Sequence, residues 1–193
     1  MSVFSFGKLR GLRVLHGLAL STALTALSLS GAAHAELPAG AKAPTFSTEA
    51  ALAGKVFRYD LGAALRDGPV VLYFYPAAFT QGCSLEARAF AEAIDQYKAL
   101  GASVVGVSGD DIQTLQKFSV SECGGKFPVA AGTADIIKAY EVTSSRDPAR
   151  SKRTSYVISP KGEIVYSHTD SNFEHHVTNT LKAVQDWKAK QPS

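Results

Sequence analysis

The pattern of apolar and polar positions changes period several times along the chain. VVLYFYP, Val70 to Pro76, is a continuous apolar run rich in β-branched and aromatic residues, set off by Gly68-Pro69 before it and closed by Pro76. Such a run predicts a central strand buried on both faces. From Cys83 the spacing becomes helical: Cys83, Ala87, Phe90, Ile94 and Tyr97 share a stripe that Glu92, Asp95 and Lys98 avoid. This predicts an amphipathic helix with the cysteine in its first turn, facing inward. Gly101 closes that helix, and SVVGV at 103–107 predicts a second buried strand. Asp110 and Asp111 suit a helix start, with Ile112, Leu115 and Phe118 on one face. Gly124-Gly125 should end this helix immediately after Cys123.

Further along, FPVAA (127–131) predicts a short strand, 134–140 a short helix, and the polar, basic stretch 143–152 a loop. TSYVI and EIVYSH flank Ser159-Pro160-Lys161-Gly162, which predicts two antiparallel strands joined by a tight turn. A last helix follows Asp170-Ser171-Asn172, with Val177, Leu181, Val184 and Trp187 as its stripe. Residues 36–54, with Pro38, Pro44 and several small side chains, predict an extended lead-in segment. Strands alternating with helices, then a hairpin and a final helix, imply an α/β mixed central sheet with helices on both faces. That is the layout of a thioredoxin-like fold.

The first 35 residues change the picture of charge and compartment. Lys8, Arg10 and Arg13 precede an apolar run from Val14 to Leu29, and Ala33-His34-Ala35 follows as a small-residue cleavage signal before Glu36. This three-part pattern predicts a secretory signal peptide over 1–35, with a mature domain at 36–193 in an exported, periplasmic, oxidising space. The leader holds no acid, so the mature part carries 17 basic and 17 acidic side chains and is formally neutral. Neutrality argues against electrostatic binding to nucleic acid or anionic lipid. No stable membrane association is expected after cleavage. Both cysteines, Cys83 and Cys123, lie in the mature part, and two cysteines in an oxidising space can form a structural disulfide.

The stretch Pro76 to Cys83, PAAFTQGC, is the most informative. It places a cysteine where a strand ends and a helix begins, and the unpaired amides and positive dipole end there favour a thiolate. A lowered thiol pKa makes a cysteine nucleophilic at neutral pH. Thr80 adds a hydroxyl that both donates and accepts. Pro76 has no N–H and can wall one side of a pocket. The plainer reading is a buried structural cysteine.

Pro-x-x-x-Thr-x-x-Cys after an apolar strand ending in aromatics resembles the peroxiredoxin active-site motif. YFYPAAFTQGCSLEA, including Glu86, and KRTSYVISPKGEIV (152–165) are most similar to the bacterioferritin-comigratory, or Q-type, branch. The resemblance extends over nearly all of the mature chain. It implies a thioredoxin-like fold, with Cys83 as the peroxidatic cysteine and Pro76, Thr80 and Arg153 around it. It also implies a thiol-dependent peroxidase that reduces hydrogen peroxide or an alkyl hydroperoxide through a sulfenic acid. A thioredoxin-like or other dithiol reductant would restore it, without metal, haem or flavin. Composition cannot choose among Arg146, Arg150, Lys152 and Arg153, whose bland reading is a solvated loop; the match to the motif selects Arg153. The chain departs from the branch in two ways. Gln81 stands where proline is usual, and Arg88 stands where a resolving cysteine often lies. The resemblance permits Cys123 to be the resolving cysteine without requiring it.

Other chemistry is weaker. His175 and His176 are adjacent, hence about 100° apart on a helix, and do not form an i, i+4 ligand pair. No CxxC, P-loop or dinucleotide fingerprint occurs. Two rival functions remain: a thioredoxin-like thiol–disulfide oxidoreductase, weakened by the missing CxxC, and a non-enzymatic domain stapled by Cys83–Cys123.

Overall fold

The computed structural model describes residues 36–191. The expected leader lies outside the described residues. Seven strands, β1 (Ser47–Leu52), β2 (Lys55–Asp60), β3 (Val70–Phe74), β4 (Ser103–Ser108), β5 (Val129–Ala131), β6 (Thr154–Ile158) and β7 (Ile164–Thr169), form one sheet in the order β2-β1-β5-β4-β3-β6-β7. The β3–β4 and β4–β5 pairs are parallel, and the other four are antiparallel. Five helices, α1 (Leu61–Asp67), α2 (Gln81–Ala99), α3 (Ile112–Ser121), α4 (Ala134–Ala139) and α5 (Glu174–Ala189), complete the fold. This is the α/β thioredoxin-like arrangement.

The fully buried β3 explains the two layers. Its side chains alternate, so Val71 and Tyr73 join Ala87, Phe90, Leu115, Phe118 and Val184 on the face covered by α2, α3 and α5. Val70, Leu72 and Phe74 join Leu61, Leu65, Ile136 and Ile137 on the face covered by α1 and α4. The helical stripe from Cys83 to Tyr97 is buried throughout, as its spacing predicts. Asp111 caps α3 as expected, its carboxylate accepting the Thr114 N–H at 2.8 Å.

Three local expectations are corrected. The lead-in at 36–54 is not simply extended, because Ser47–Leu52 pairs with Lys55–Asp60 as a hairpin. Ala53 and Gly54 both take positive φ in its two-residue turn, the backbone geometry that matches strand twist. Helix α1 follows, capped by the Asp60 carboxylate on the Ala63 N–H at 2.6 Å. Helix α3 ends at Ser121, so Cys123 lies in the turn beyond it rather than in the helix. The turn is shaped by Gly124 and Gly125, at φ 57° and 66°. On α5 the buried positions are His176, Thr180 and Val184, so two polar residues share the inward face with the apolar stripe.

Strand register brings the site together. Phe74 at the end of β3 pairs with Thr154 at the start of β6, so Pro76 and Arg153 emerge side by side. Parallel β4 ends at the same edge, where the Tyr75 N–H donates to the Val107 carbonyl at 3.0 Å. The carboxyl ends of β3 and β4 therefore converge with the amino end of β6. No helix among the described residues is long and apolar enough to cross a membrane.

Candidate active site

Cys83 is the third residue of α2, 2% exposed, beneath the loop that leaves β3. Its nearest charged neighbour is Arg153, whose Nη2 donates to Cys83 Sγ at 3.5 Å. The guanidinium is fixed from two other directions. Its Nε donates to the Ser171 carbonyl at 3.1 Å, and its Nη1 makes a close ion pair with Glu86. Glu86 follows Cys83 by three residues, so the helix turns both side chains to one face. Gly82 makes room for the contact: a Cβ there would stand 3.2 Å from Arg153 Nη2.

Glu86 is fully buried, and this sets its chemistry. Burial pushes its carboxyl up to about 8 against the opposing pull of Arg153. Its Oε1 has no hydrogen-bond partner and lies 3.9 Å from His176 Nδ1. His176 Nε2 donates to the Asp170 carbonyl at 3.0 Å, which leaves Nδ1 to accept from Ser155 Oγ at 2.8 Å. Burial holds this imidazole neutral, its pKa lowered to about 4. Histidine and serine thus form a neutral floor beneath the Glu86–Arg153 pair.

The other sequence-predicted residues take distinct places. Pro76 and Arg153 line a cavity of about 530 Å³ that also includes Arg146, Arg150, Lys152 and Asp170. Thr80 is the N-cap residue of α2 and is exposed; its hydroxyl donates to the Ala77 carbonyl at 3.0 Å. Arg150 is not a merely solvated loop residue, since it is ion-paired with Asp110. Cys123 is completely buried, and burial together with neighbouring Glu122 pushes its thiol far up. Both thiols are free, and both belong to the core cluster between the sheet and α2, α3 and α5. A larger cavity, about 600 Å³ between β7 and α5, holds none of these residues. Among the described residues, no group of three or more His, Cys, Asp or Glu could hold a metal ion.

The sequence pattern marks Asp110 only as part of a helix start, whereas Asp111 alone caps α3, and it gives Glu86, Ser155 and His176 no role of their own in the site. For Glu86 a signal existed: it follows the inward-facing Cys83 by three residues, which puts both on one helix face. For His176 there was none, because its partners come from β6 and the turn before α5.

Residues 39–167 match the AhpC/TSA family. A chloroplastic peroxiredoxin Q of Suaeda salsa is 29% identical over 180 residues, covering 91% of this chain and 80% of that one. A chloroplastic peroxiredoxin Q of Triticum aestivum is 34% identical over 128 residues, covering 61% of this chain and 55% of that one. The chain spans little more than half the length of several such relatives. Among solved structures, peroxidoxin BcpB of Mycobacterium tuberculosis superposes with a TM-score of 0.71 at 24% identity. That match covers 81% of this chain and 99% of the other, and it bears on the fold alone.

Proposed function

This chain belongs to the AhpC/TSA family, and from that premise we propose that it is a thiol-dependent peroxidase acting through Cys83. The observation that carries the reading is the Nη2–Sγ contact of 3.5 Å between Arg153 and Cys83, with the guanidinium held by Glu86 and Ser171. A planar, permanently charged donor fixed beside a sulfur suits an attack in which negative charge passes from sulfur to a departing oxygen. The Cys83 thiolate attacks one peroxide oxygen, the O–O bond breaks, and the other oxygen leaves as water or alcohol after taking a proton. Sulfur is oxidised to the sulfenic acid and the peroxide is reduced. Arg153 disperses the charge on the departing oxygen. Thr80, exposed at the α2 N-cap, keeps acceptor capacity on its hydroxyl for a peroxide O–H. Pro76 walls the pocket without offering a competing donor.

Cys123 resolves the sulfenic acid: its sulfur attacks Cys83, a disulfide forms and water leaves. One contact supports this. Arg88 occupies the position where the Q-type branch often has its resolving cysteine, and its Nη2 is 2.8 Å from Glu122, the residue before Cys123. A thioredoxin-like or other dithiol protein then reduces the disulfide. Hydrogen peroxide and alkyl hydroperoxides are the substrates. Residues 1–35 are read as a signal peptide and the domain at 36–193 as an exported, periplasmic enzyme. Measuring peroxide consumption beside insulin reduction tests the function. Wild type should consume peroxide with a dithiol, should reduce insulin poorly, and should lose peroxidase activity as Cys83→Ser. Undiminished peroxide consumption by that variant would refute the role of Cys83.

A further inference from the structure

Asp110, just beyond β4, touches neither Cys83 nor the peroxide-facing residues, yet it joins the loop before Cys83 to the segment before Arg153. Its Oδ2 accepts the backbone N–H of Ala78 at 2.7 Å, in the loop between Pro76 and Thr80. The same oxygen accepts from Ser108 Oγ at 2.9 Å, which fixes the carboxylate to the end of β4. Its Oδ1 pairs with Arg150, three residues before Arg153. The Asp110 side chain is only 10% exposed, so water offers little substitute for these partners. A neighbouring hydrogen bond, from Ser151 Oγ to the Tyr75 carbonyl at 3.0 Å, ties the same two segments together.

The loop that Asp110 holds is strained. Phe79 has φ 63°, uncommon for a residue with a side chain. Its half-exposed ring stands edge-on to Phe118 of α3, with centroids 5.2 Å apart. A loop in this state needs something to hold it closed, and the Ala78–Asp110 bond is a partly buried, charge-assisted candidate.

We infer that Asp110 is a positioning residue that keeps the Ala77–Thr80 turn and the Arg150–Arg153 segment closed over Cys83, with Arg150 as its anchor. The inference rests on the peroxidase reading for its consequence. While the clamp holds, Arg153 and Thr80 stay aligned for the first oxidation. The sulfenic acid also stays in the pocket, where a second peroxide can add an oxygen to give the sulfinic acid and leave as water or alcohol. When the clamp opens, the strained turn relaxes and Cys83 becomes free to move towards Cys123. Asp110 thus sets the partition between over-oxidation and disulfide formation.

Three measurements on Asp110→Ala and the near-isosteric Asp110→Asn test this. The first is amide hydrogen exchange over residues 77–80 in the reduced protein. Exchange should quicken about tenfold in the alanine variant, the effect of losing one hydrogen bond, and less in the asparagine variant, whose carbonyl still accepts from Ala78. The second is the rate of Cys83 oxidation by hydrogen peroxide, which should fall in the order wild type, asparagine, alanine. The third is the sulfinic fraction at excess peroxide, measured by mass spectrometry, which should fall in the same order. Slower oxidation with unchanged exchange at 77–80 would overturn the clamp, as would an unchanged sulfinic fraction despite faster exchange. Failure of peroxide to oxidise wild-type Cys83 would instead overturn the peroxidase reading; the exchange measurement uses no peroxide and judges the clamp separately.

Discussion

Arg153 and Cys83 lie 70 positions apart in the sequence and meet at 3.5 Å, guanidinium Nη2 to sulfur. The contact exists because β3 and β6 pair antiparallel at the edge where α2 begins. Glu86 and the Ser171 carbonyl hold the planar group at its other nitrogens, leaving one edge for sulfur and peroxide.

Arg153→Ala should therefore slow oxidation of Cys83 by roughly 10²-fold, the usual effect of deleting one aligned donor from a charge-developing site. Arg153→Lys should recover only part of the loss, since an ammonium cannot bond to Glu86, Ser171 and sulfur in one plane. Removing the cation also leaves Glu86 buried without its partner, which lowers stability. Arg153→Met combined with Glu86→Gln separates the effects: its melting temperature should recover while oxidation stays slow. Stopped-flow fluorescence and thermal melts give both readings.

Glu86 makes stability depend on pH in a stated direction. Burial raises its folded-state pKa from 4.5 to about 8, so between those values the folded protein binds the proton more tightly than the unfolded chain. The stabilising contribution is complete below about 4.5 and is lost as pH rises towards 8. His176, lowered from 6.5 to about 4, acts with the opposite sign: stability falls as pH drops from 6.5 towards 4. The two oppose each other in mild acid, and only the Glu86 contribution is left above 6.5. Urea denaturation should show stability falling between pH 6.5 and 8, by on the order of 1–2 kcal/mol. Glu86→Gln should flatten that slope, and an unchanged slope would exclude Glu86 as its source.

Gly82 offers a test in which stability and activity part. Alanine in a helix interior is favoured over glycine by up to about 1 kcal/mol, and by less at a half-buried first-turn position such as Gly82. At Gly82, however, its Cβ would stand 3.2 Å from Arg153 Nη2, and the guanidinium has little freedom to retreat. Gly82→Ala should melt close to wild type, the helical gain offsetting the crowding, yet oxidise several-fold more slowly with peroxide, because misalignment at a reacting centre is costly. Wild-type rates from this variant would mean the guanidinium adapts freely.

How legible each part was in the sequence follows from what constrains it. β3 and α2 are buried across their working faces, so their periods are written into residue type. The β1–β2 hairpin was not legible because β2 is a sheet edge with five of six residues exposed, which imposes no alternation. Its Ala53-Gly54 turn also lacks the usual Asn or Asp. Cys83, Thr80 and Pro76 were legible because their motif is contiguous. Arg153 could be separated from Arg150 only by its motif position, and the structure gives each its own carboxylate, Glu86 and Asp110. Those carboxylates went unassigned because their meaning depends on which strand ends meet, a property of topology and not of local pattern.

Cys123 lies closed off from solvent in the turn beyond α3. Its burial and raised thiol pKa make it inert while the turn beyond α3 is packed. That turn is held by core packing and a few polar contacts, among them the Lys126 N–H to the Cys123 carbonyl at 3.1 Å. The Cys123 N–H donates to the Phe118 carbonyl at 3.2 Å, the Gly125 N–H to the Ser119 carbonyl at 2.9 Å, and Arg88 reaches Glu122 at 2.8 Å. Two consecutive left-handed glycines follow Cys123, a backbone with a wide choice of alternative states once those contacts part. In the reduced protein, iodoacetamide should therefore modify Cys123 far more slowly than in denaturant. After one equivalent of peroxide, peptide mapping should find an intramolecular Cys83–Cys123 disulfide. Cys123→Ser should undergo the first oxidation at the wild-type rate, then accumulate sulfenic acid or require an added small thiol to turn over. Arg88→Ala removes one restraint from the turn without touching either sulfur, so it should form the disulfide faster by a few-fold, the worth of one partly exposed ion pair. Normal turnover by Cys123→Ser with the dithiol reductant would show that the enzyme works with one cysteine, and Arg88→Ala would then leave the catalytic rate unchanged.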